Sequence, residues 1–274
     1  MRGVSDPLPA DLAEALAHAP ELGDYARLRY YAEVESTNDL ALALAASGER
    51  EGSAVLADMQ RAGRGRRGRV WFSPPGAGMY LSIVVRLGQQ SESLSLVTLA
   101  AGVAVARAVT TVTHLPVELK WPNDLVLGRP WRKLGGLLCE SAGSGSRIDA
   151  VVIGIGLNLL SLAYPAEMRD RATSIEAELG RPVSRAAIVT EVLAEVRDGI
   201  DRLRRGGHDW VLQNWRRFGQ VGLDAAPVRW QEHGEWRRGI ARDIDSLGAL
   251  VVERDGRLEH LVAGEVLWER LSRE

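Results

Sequence analysis

Two spacings of apolar residues alternate along the chain and divide it into regions. Runs of strand length occur at 28–34, 53–58, 79–86, 117–120, 125–127, 132–140 and 150–158. They are separated mainly by Gly, Pro, Asn and Asp turn signals, such as Gly128-Arg129-Pro130 and Ser73-Pro74-Pro75-Gly76. Short strands joined mainly by hairpins predict a mixed or antiparallel sheet rather than a doubly wound parallel one. Helical spacing appears at 10–17, 40–46 and 94–112, and it dominates from Thr173 onward. There Thr173 or Ser174 caps a short helix ending at Leu179, and Ser184 caps a long one reaching about Arg204. Ile188, Val192, Val196, Ile200 and Leu203 recur every three or four positions in that long helix, which marks its buried face. A further helix opens at Asp209 and runs to about Phe218.

Beyond residue 222 the spacing returns to short alternating runs, at 227–230, 236–244, 249–253, 258–262 and 266–268. Tight turns at Ser246-Leu247-Gly248 and Arg254-Asp255-Gly256-Arg257 join them, which predicts a small SH3-like barrel. The expected organisation is an N-terminal extension (1–27), an α+β catalytic domain (28–221) and the C-terminal barrel (222–274).

Composition narrows the function classes. The hydrophobic share of 46% and charged share of 26% belong to a globular chain with a sizeable core. A formal net charge of −2 argues against a protein built mainly for nucleic acid, because the positive charge is concentrated in one loop. The single cysteine, Cys139, excludes an intramolecular disulfide, fits a reducing cytoplasm and reads as a buried, inert thiol. No signal-peptide core is seen at the N-terminus, and the run Leu94–Val112 carries Arg107 and few large apolar residues. It reads as a buried helix rather than a membrane span.

The candidate chemistry starts in the loop from Gln60 to Trp71, where five arginines and three glycines fall between Arg61 and Arg69. Glycines let backbone N–H groups approach a ligand, and guanidinium forks suit phosphate and carboxylate. The loop is read either as an anion cradle or as a solvated basic surface. Ser36, Thr37 and Asn38 open a helix, as caps or as holders of polar ligand atoms. Asn123 and Asp124 follow Pro122 as turn formers or as oxygen ligands for a hard cation. Lys133 stands at a strand entrance, either solvated or part of a site. Gly154 and Gly156 permit close approach within an apolar strand.

Four stretches in this order resemble one family: Ser36-Thr37-Asn38, the GRGRRGRVW loop from Gly63 to Trp71, Lys120–Asp124 (KWPND), and Lys133-Leu134-Gly135-Gly136. With Gly154-Ile155-Gly156-Leu157-Asn158 they are similar to the biotin protein ligases, in the short form lacking a DNA-binding domain. The resemblance runs from about Leu28 to the C-terminus. It implies a class II synthetase-like catalytic domain that uses ATP and Mg2+ to activate biotin as biotinyl-5'-adenylate. The acceptor is then a lysine of a biotin carboxyl carrier domain. No repressor role is expected, no membrane or nucleic-acid partner is implied, and a homodimer is possible.

By the same resemblance, Ser36, Thr37, Asn38 and Gln60 hold biotin, and Arg64, Gly65 and Arg66 close over it. Lys133 and Arg66 are the implied catalytic pair. Arg67, Arg69, Trp71 and Asn158 face the phosphates or the adenine, and Asn123 and Asp124 position Mg2+ and ATP. Arg242 and Asp245 are weaker expectations in the barrel. A lipoate–protein ligase shares this chemistry and is the nearest alternative. A nucleic-acid module using the basic loop and the eight tryptophans for stacking is the distant one.

Overall fold

The computed structural model describes residues 5–86, 94–144, 147–219, 223, 226–232, 234–262, 264 and 266–268. The expected boundary at 221–222 lies outside them. Seven strands form the central sheet: β1 (Leu28–Val34), β2 (Ala54–Gln60), β3 (Gly78–Val85), β4 (Glu118–Lys120), β5 (Asp124–Leu127), β6 (Arg132–Ser144) and β7 (Arg147–Asn158). Their order is β1-β2-β3-β7-β6-β5-β4. Only β1 and β2 pair in parallel, and every other pairing is antiparallel, so the sheet is mixed. A parallel pair needs a crossover, and helix α2 (Thr37–Ala46) supplies it.

Helices cover the two faces unequally. On one face lie α1 (Ala10–Ala17), α3 (Leu94–Thr113), α5 (Arg185–Arg204) and α6 (His208–Phe218), sharing one large core with the sheet, and the short α4 (Ile175–Leu179) adds Ile175 to it. α3 is long and apolar enough to cross a membrane by length and composition, yet most of its side chains are buried inside the protein. Its many alanines bring α5 close, and Ile188, Val192, Val196, Ile200 and Leu203 are all buried as their spacing predicted. Each such side chain contributes about 1.5–3 kcal/mol by leaving water. Among the described residues the other face carries α2 alone, over Val55, Val84, Ala150 and Val152. Beside the N-terminus of α2 the sheet is left open, and the candidate site lies there.

Residues 10–26 belong to the main core, with Leu12, Leu16, Leu22 and Tyr25 all buried in it. The C-terminal strands β8 (Pro227–Glu232), β9 (Glu235–Ile244), β10 (Leu250–Arg254), β11 (Arg257–Leu261) and β12 (Val266–Trp268) form an antiparallel sheet ordered β11-β10-β9-β8-β12. Its inner residues Val228, Trp230, Ala241 and Ile244 join the main core. The indole of Trp121 donates to the Gly248 carbonyl at 3.0 Å, which ties the turn after β4 to the turn between β9 and β10.

Boundaries of α2, β6 and β7 differ most from the sequence expectation. α2 starts at Thr37 rather than Leu40, because Ser36 is its N-cap and accepts from the Asp39 N–H. β6 and β7 extend to Ser144 and back to Arg147, making one long hairpin out of two shorter expected strands.

Candidate active site

The open patch of sheet is a cleft lined by Ser36, Thr37, Asn38, Gln60, Arg64, Gly65, Trp71 and Lys133 over a floor from β6 and β7. Gly136 pairs with Gly156, and Leu138 with Gly154, so three of these four floor positions are bare backbone. A Cβ on Gly154 would collide with the Asn38 amide, and one on Gly156 would lie 2.5 Å from the Trp71 indole. The glycines are required by close approach, not by backbone strain.

Burial of Ser36, Thr37 and Asn38 demands partners for their polar atoms. Gln60 Oε1 accepts from the Thr37 N–H at 2.9 Å and lies 3.1 Å from Thr37 Oγ1. Gln60 Nε2 donates to Ser73 Oγ, and Ser73 Oγ donates to the Trp71 carbonyl, both at 3.0 Å. Ser82, buried in the middle of β3, lies 2.8 Å from Thr37 Oγ1 and 2.6 Å from Asn38 Oδ1. Asn38 Nδ2 donates to the Leu138 carbonyl at 3.2 Å and to Glu140 at 2.7 Å. By contrast, the buried Trp71 Nε1 has no protein partner and remains a donor for a ligand.

The Arg/Gly loop folds back on itself. Gly65 N–H donates to the Arg69 carbonyl at 2.7 Å and Trp71 N–H to the Gly63 carbonyl at 2.8 Å. Arg67 (φ 58°) and Gly68 (φ 70°) turn the chain between them. Arg64 forms a two-pronged pair with Asp39, at 2.8 and 2.5 Å. That pairing raises the Arg64 pKa and lowers that of Asp39. Arg66 reaches Asn123 Oδ1 at 3.4 Å, and burial, with Arg67 nearby, lowers its pKa from the usual arginine value.

Lys133 is fixed at both ends. Its N–H donates to the Arg171 carbonyl at 2.7 Å and its carbonyl accepts from Thr173 N–H at 2.9 Å. Its ammonium meets Asp124 Oδ1 at 2.6 Å and lies 5.4 Å from the centre of the Trp71 ring. Nearby, Lys120 is held below the usual lysine range by burial, against the pull of Asp124.

A second cleft adjoins the first through Leu137 and Leu138, and it is lined by Arg66, Arg67, Asn123, Trp121, Cys139 and Gly248. Arg66, Arg67 and Asn123 therefore stand at this neighbour, while Asp124 meets the first cleft through Lys133. Asn158 is not brought to either lining. Its amide is buried and donates to the Thr173 carbonyl at 2.9 Å and the Lys133 carbonyl at 3.4 Å, which secures the lysine's strand. Arg69 is exposed outside both linings. Arg242 pairs with Glu253, and Asp245 with His260 and the turn N–H groups of Leu247 and Ala249.

Sequence reasoning passed over Ser82 and Glu140. Ser82 carried a signal, a single hydroxyl inside the apolar run 79–85, which a buried strand must satisfy. Glu140 carried little, since an acid at the end of a strand is ordinary.

No group of three His, Cys, Asp or Glu side chains close enough to hold a metal occurs among the described residues. Asn123 and Asp124 offer one amide oxygen and one carboxylate, both already partnered. That donor set fits a Mg2+ that brings phosphate and water ligands of its own, not one held by protein alone.

The fold agrees with one class, the biotin/lipoate protein ligases. Residues 30–158 match the biotin/lipoate A/B protein ligase family, and residues 227–267 match the biotin protein ligase C-terminal domain. The chain is 36% identical to the biotin–[acetyl-CoA-carboxylase] ligase of Mycobacterium tuberculosis over 88% of this chain and 88% of that protein. It is 32% identical to the bifunctional ligase/repressor BirA of Escherichia coli over 97% of this chain and 81% of that protein. Among solved structures, the biotin protein ligase from Aquifex aeolicus in complex with biotin and ATP superposes with a TM-score of 0.77 at 25% identity. That match covers 89% of this chain and 99% of that one. The ligase of Leishmania major in complex with biotinyl-5-AMP gives a TM-score of 0.59 at 28% identity, covering 86% and 99%. The chain belongs to the biotin protein ligase family.

Proposed function

We propose that this chain is a cytoplasmic, ATP-dependent ligase that activates biotin as biotinyl-5'-adenylate. It then transfers the biotinyl group to one lysine of a biotin carboxyl carrier domain. In the first step a biotin carboxylate oxygen attacks the α-phosphorus of ATP, and pyrophosphate leaves with the electrons of the broken P–O bond. In the second, the carrier lysine amine attacks the acyl carbon, loses a proton, and AMP departs.

One observation carries the reading. A set of hydroxyls and amides, the buried Ser36, Thr37 and Asn38 with the half-buried Gln60, occupies the same cleft as the ammonium of Lys133. The first set suits a polar heterocycle. The second suits the place where a carboxylate must meet a phosphate, a collision of anions that fixed cations relieve. Lys133 neutralises charge developing on the α-phosphoryl oxygens, and removing such a group costs roughly 10²–10³-fold in rate. Arg64, anchored to Asp39, and Arg66, against Asn123, hold the loop where it can cover a reactive anhydride and exclude water. Mg2+, arriving with ATP, would share the phosphate charge beside Asp124 and Asn123. The ligands named for the Aquifex and Leishmania ligases support this assignment of substrates. The proposal covers ligation and not repression.

The test is incubation with biotin, ATP, Mg2+ and a biotin carboxyl carrier domain, followed by mass measurement of the carrier and of released pyrophosphate. One biotinyl group on one lysine, dependent on ATP, is the expected result. Pyrophosphate release with lipoate and not with biotin would overturn it.

A further inference from the structure

We propose that Glu140 is a positioning residue that sets the hydrogen-bond polarity of the cleft and thereby selects a cyclic urea. The inference rests on the biotin-ligase reading and names what recognises the ring.

The argument follows hydrogens along a chain of contacts. An ionised carboxylate only accepts, so Glu140 at 2.7 Å takes a hydrogen from Asn38 Nδ2. The Leu138 carbonyl takes the other at 3.2 Å. Of these two acceptors, the carboxylate is the closer and the charged one, hence the stronger. Asn38 Oδ1 then faces Ser82 Oγ at 2.6 Å, and Ser82 must spend its single hydrogen there. Ser82 can only accept from Thr37 Oγ1 at 2.8 Å. The Thr37 hydrogen therefore goes to Ser82 or to Gln60 Oε1, and its oxygen meets the cleft as an acceptor. Ser36 Oγ accepts from the Asp39 N–H and keeps its own hydrogen to donate. A donor and an acceptor side by side match the carbonyl and N–H of a cyclic urea. They do not match a ring that carries neither.

Glu140 also lies 3.8 Å from Arg64, whose main partner is Asp39. A role in that ion pair alone is the rival explanation, and side-chain length separates the two. Glu140→Gln keeps an acceptor oxygen within reach of Asn38 and loses the charge beside Arg64. Glu140→Asp keeps the charge and, one methylene shorter, withdraws from Asn38.

The experiment measures steady-state pyrophosphate release, with KM for biotin and for ATP determined separately. A second acid is run alongside, a tetrahydrothiophene pentanoic acid lacking the urea ring. Glu140→Ala and Glu140→Asp should each raise the biotin KM about tenfold, a change of the size expected for a lost charge-assisted bond. The ATP KM and kcat at saturating biotin should stay within about twofold, and Glu140→Gln should behave like wild type. The preference for biotin over the urea-free acid should shrink with the same variants. Glu140→Asp carries the test if Glu140→Ala folds poorly. A wild-type biotin KM in Glu140→Asp, or an equal loss for both acids, would overturn the inference and leave the ligase reading standing. A wild-type protein that releases no pyrophosphate with biotin would sink that reading itself.

Discussion

Lys133 and Asp124 form an ion pair of 2.6 Å that joins two neighbouring strands, β5 and β6, across a register shift in their ladder. The carboxylate aims the ammonium toward the cleft while the backbone of Lys133 is fixed to residues 171–173. The Lys133 side chain is 38% exposed, so the pair itself adds no more than about 1 kcal/mol to stability. Its value lies in orientation. Lys133→Ala should therefore reduce pyrophosphate release at least about 10²-fold while the melting temperature barely moves. Asp124→Asn, which unaims the lysine but keeps it, should cost less. Full activity in Lys133→Ala would remove it from the chemistry.

Arg66 rests on Asn123 at the boundary of the two clefts, and Arg66→Ala should release the intermediate rather than stop its formation. Lysines of a bystander protein would then be labelled in proportion to escaped adenylate, as read by mass spectrometry. Gly65→Ser should act in the same direction. A Cβ there makes only ordinary contacts with Arg69, at 3.7 Å to its carbonyl oxygen and 3.9 Å to its Cβ, so a loss in that variant is a loss toward the ligand and not of the fold. Adenylate retention equal to wild type would contradict the closing-loop account.

Trp121 joins the two sheets by one buried hydrogen bond to Gly248. Trp121→Phe leaves that carbonyl unpaired at a cost of about 1–3 kcal/mol. For a chain of this size the melting temperature should fall by roughly 2–4 °C per kcal/mol. Calorimetry checks it, and an unchanged melting temperature would show that the strut carries no stability.

Cys139 is half-buried rather than fully buried as expected, and it lines the second cleft; desolvation there pushes its thiol up to about 11 from an ordinary value of 9.0. The sign follows directly: between those values the unfolded chain loses its proton first, so native stability declines as pH rises through that window. Near pH 8 the thiolate fraction is therefore well below that of a free thiol. A thiolate-dependent disulfide reagent should therefore label Cys139 slowly in the native protein and rapidly once it is denatured. Equal rates would refute the burial effect.

Much of the site was legible because its residues sit together in the sequence. The cap at Ser36, the Arg/Gly loop and the KWPND turn each carry a local backbone signal. The same holds for α5, whose apolar spacing marked its buried face correctly. The packing of Asn158 was not legible, because nothing in its strand shows which way an amide faces. Only the pairing of β6 with β7 and the return of residues 171–173 reveal that it braces Lys133. Ser82 and Glu140 reach the cleft from strands distant in sequence, so their meeting with Asn38 depends on sheet order. Strand spacing predicted a small SH3-like barrel after residue 222, and the described strands there form a five-stranded antiparallel sheet.

The floor of the cleft, at Gly136, Gly154 and Gly156, leaves little for mutation to reshape. A side chain can be added there only by displacing Asn38, Trp71 or Lys133, and none can be trimmed. A ligase of this kind remodelled for a different acid must therefore change at its walls and its lid. At these three positions the floor is already as low as a side chain can leave it.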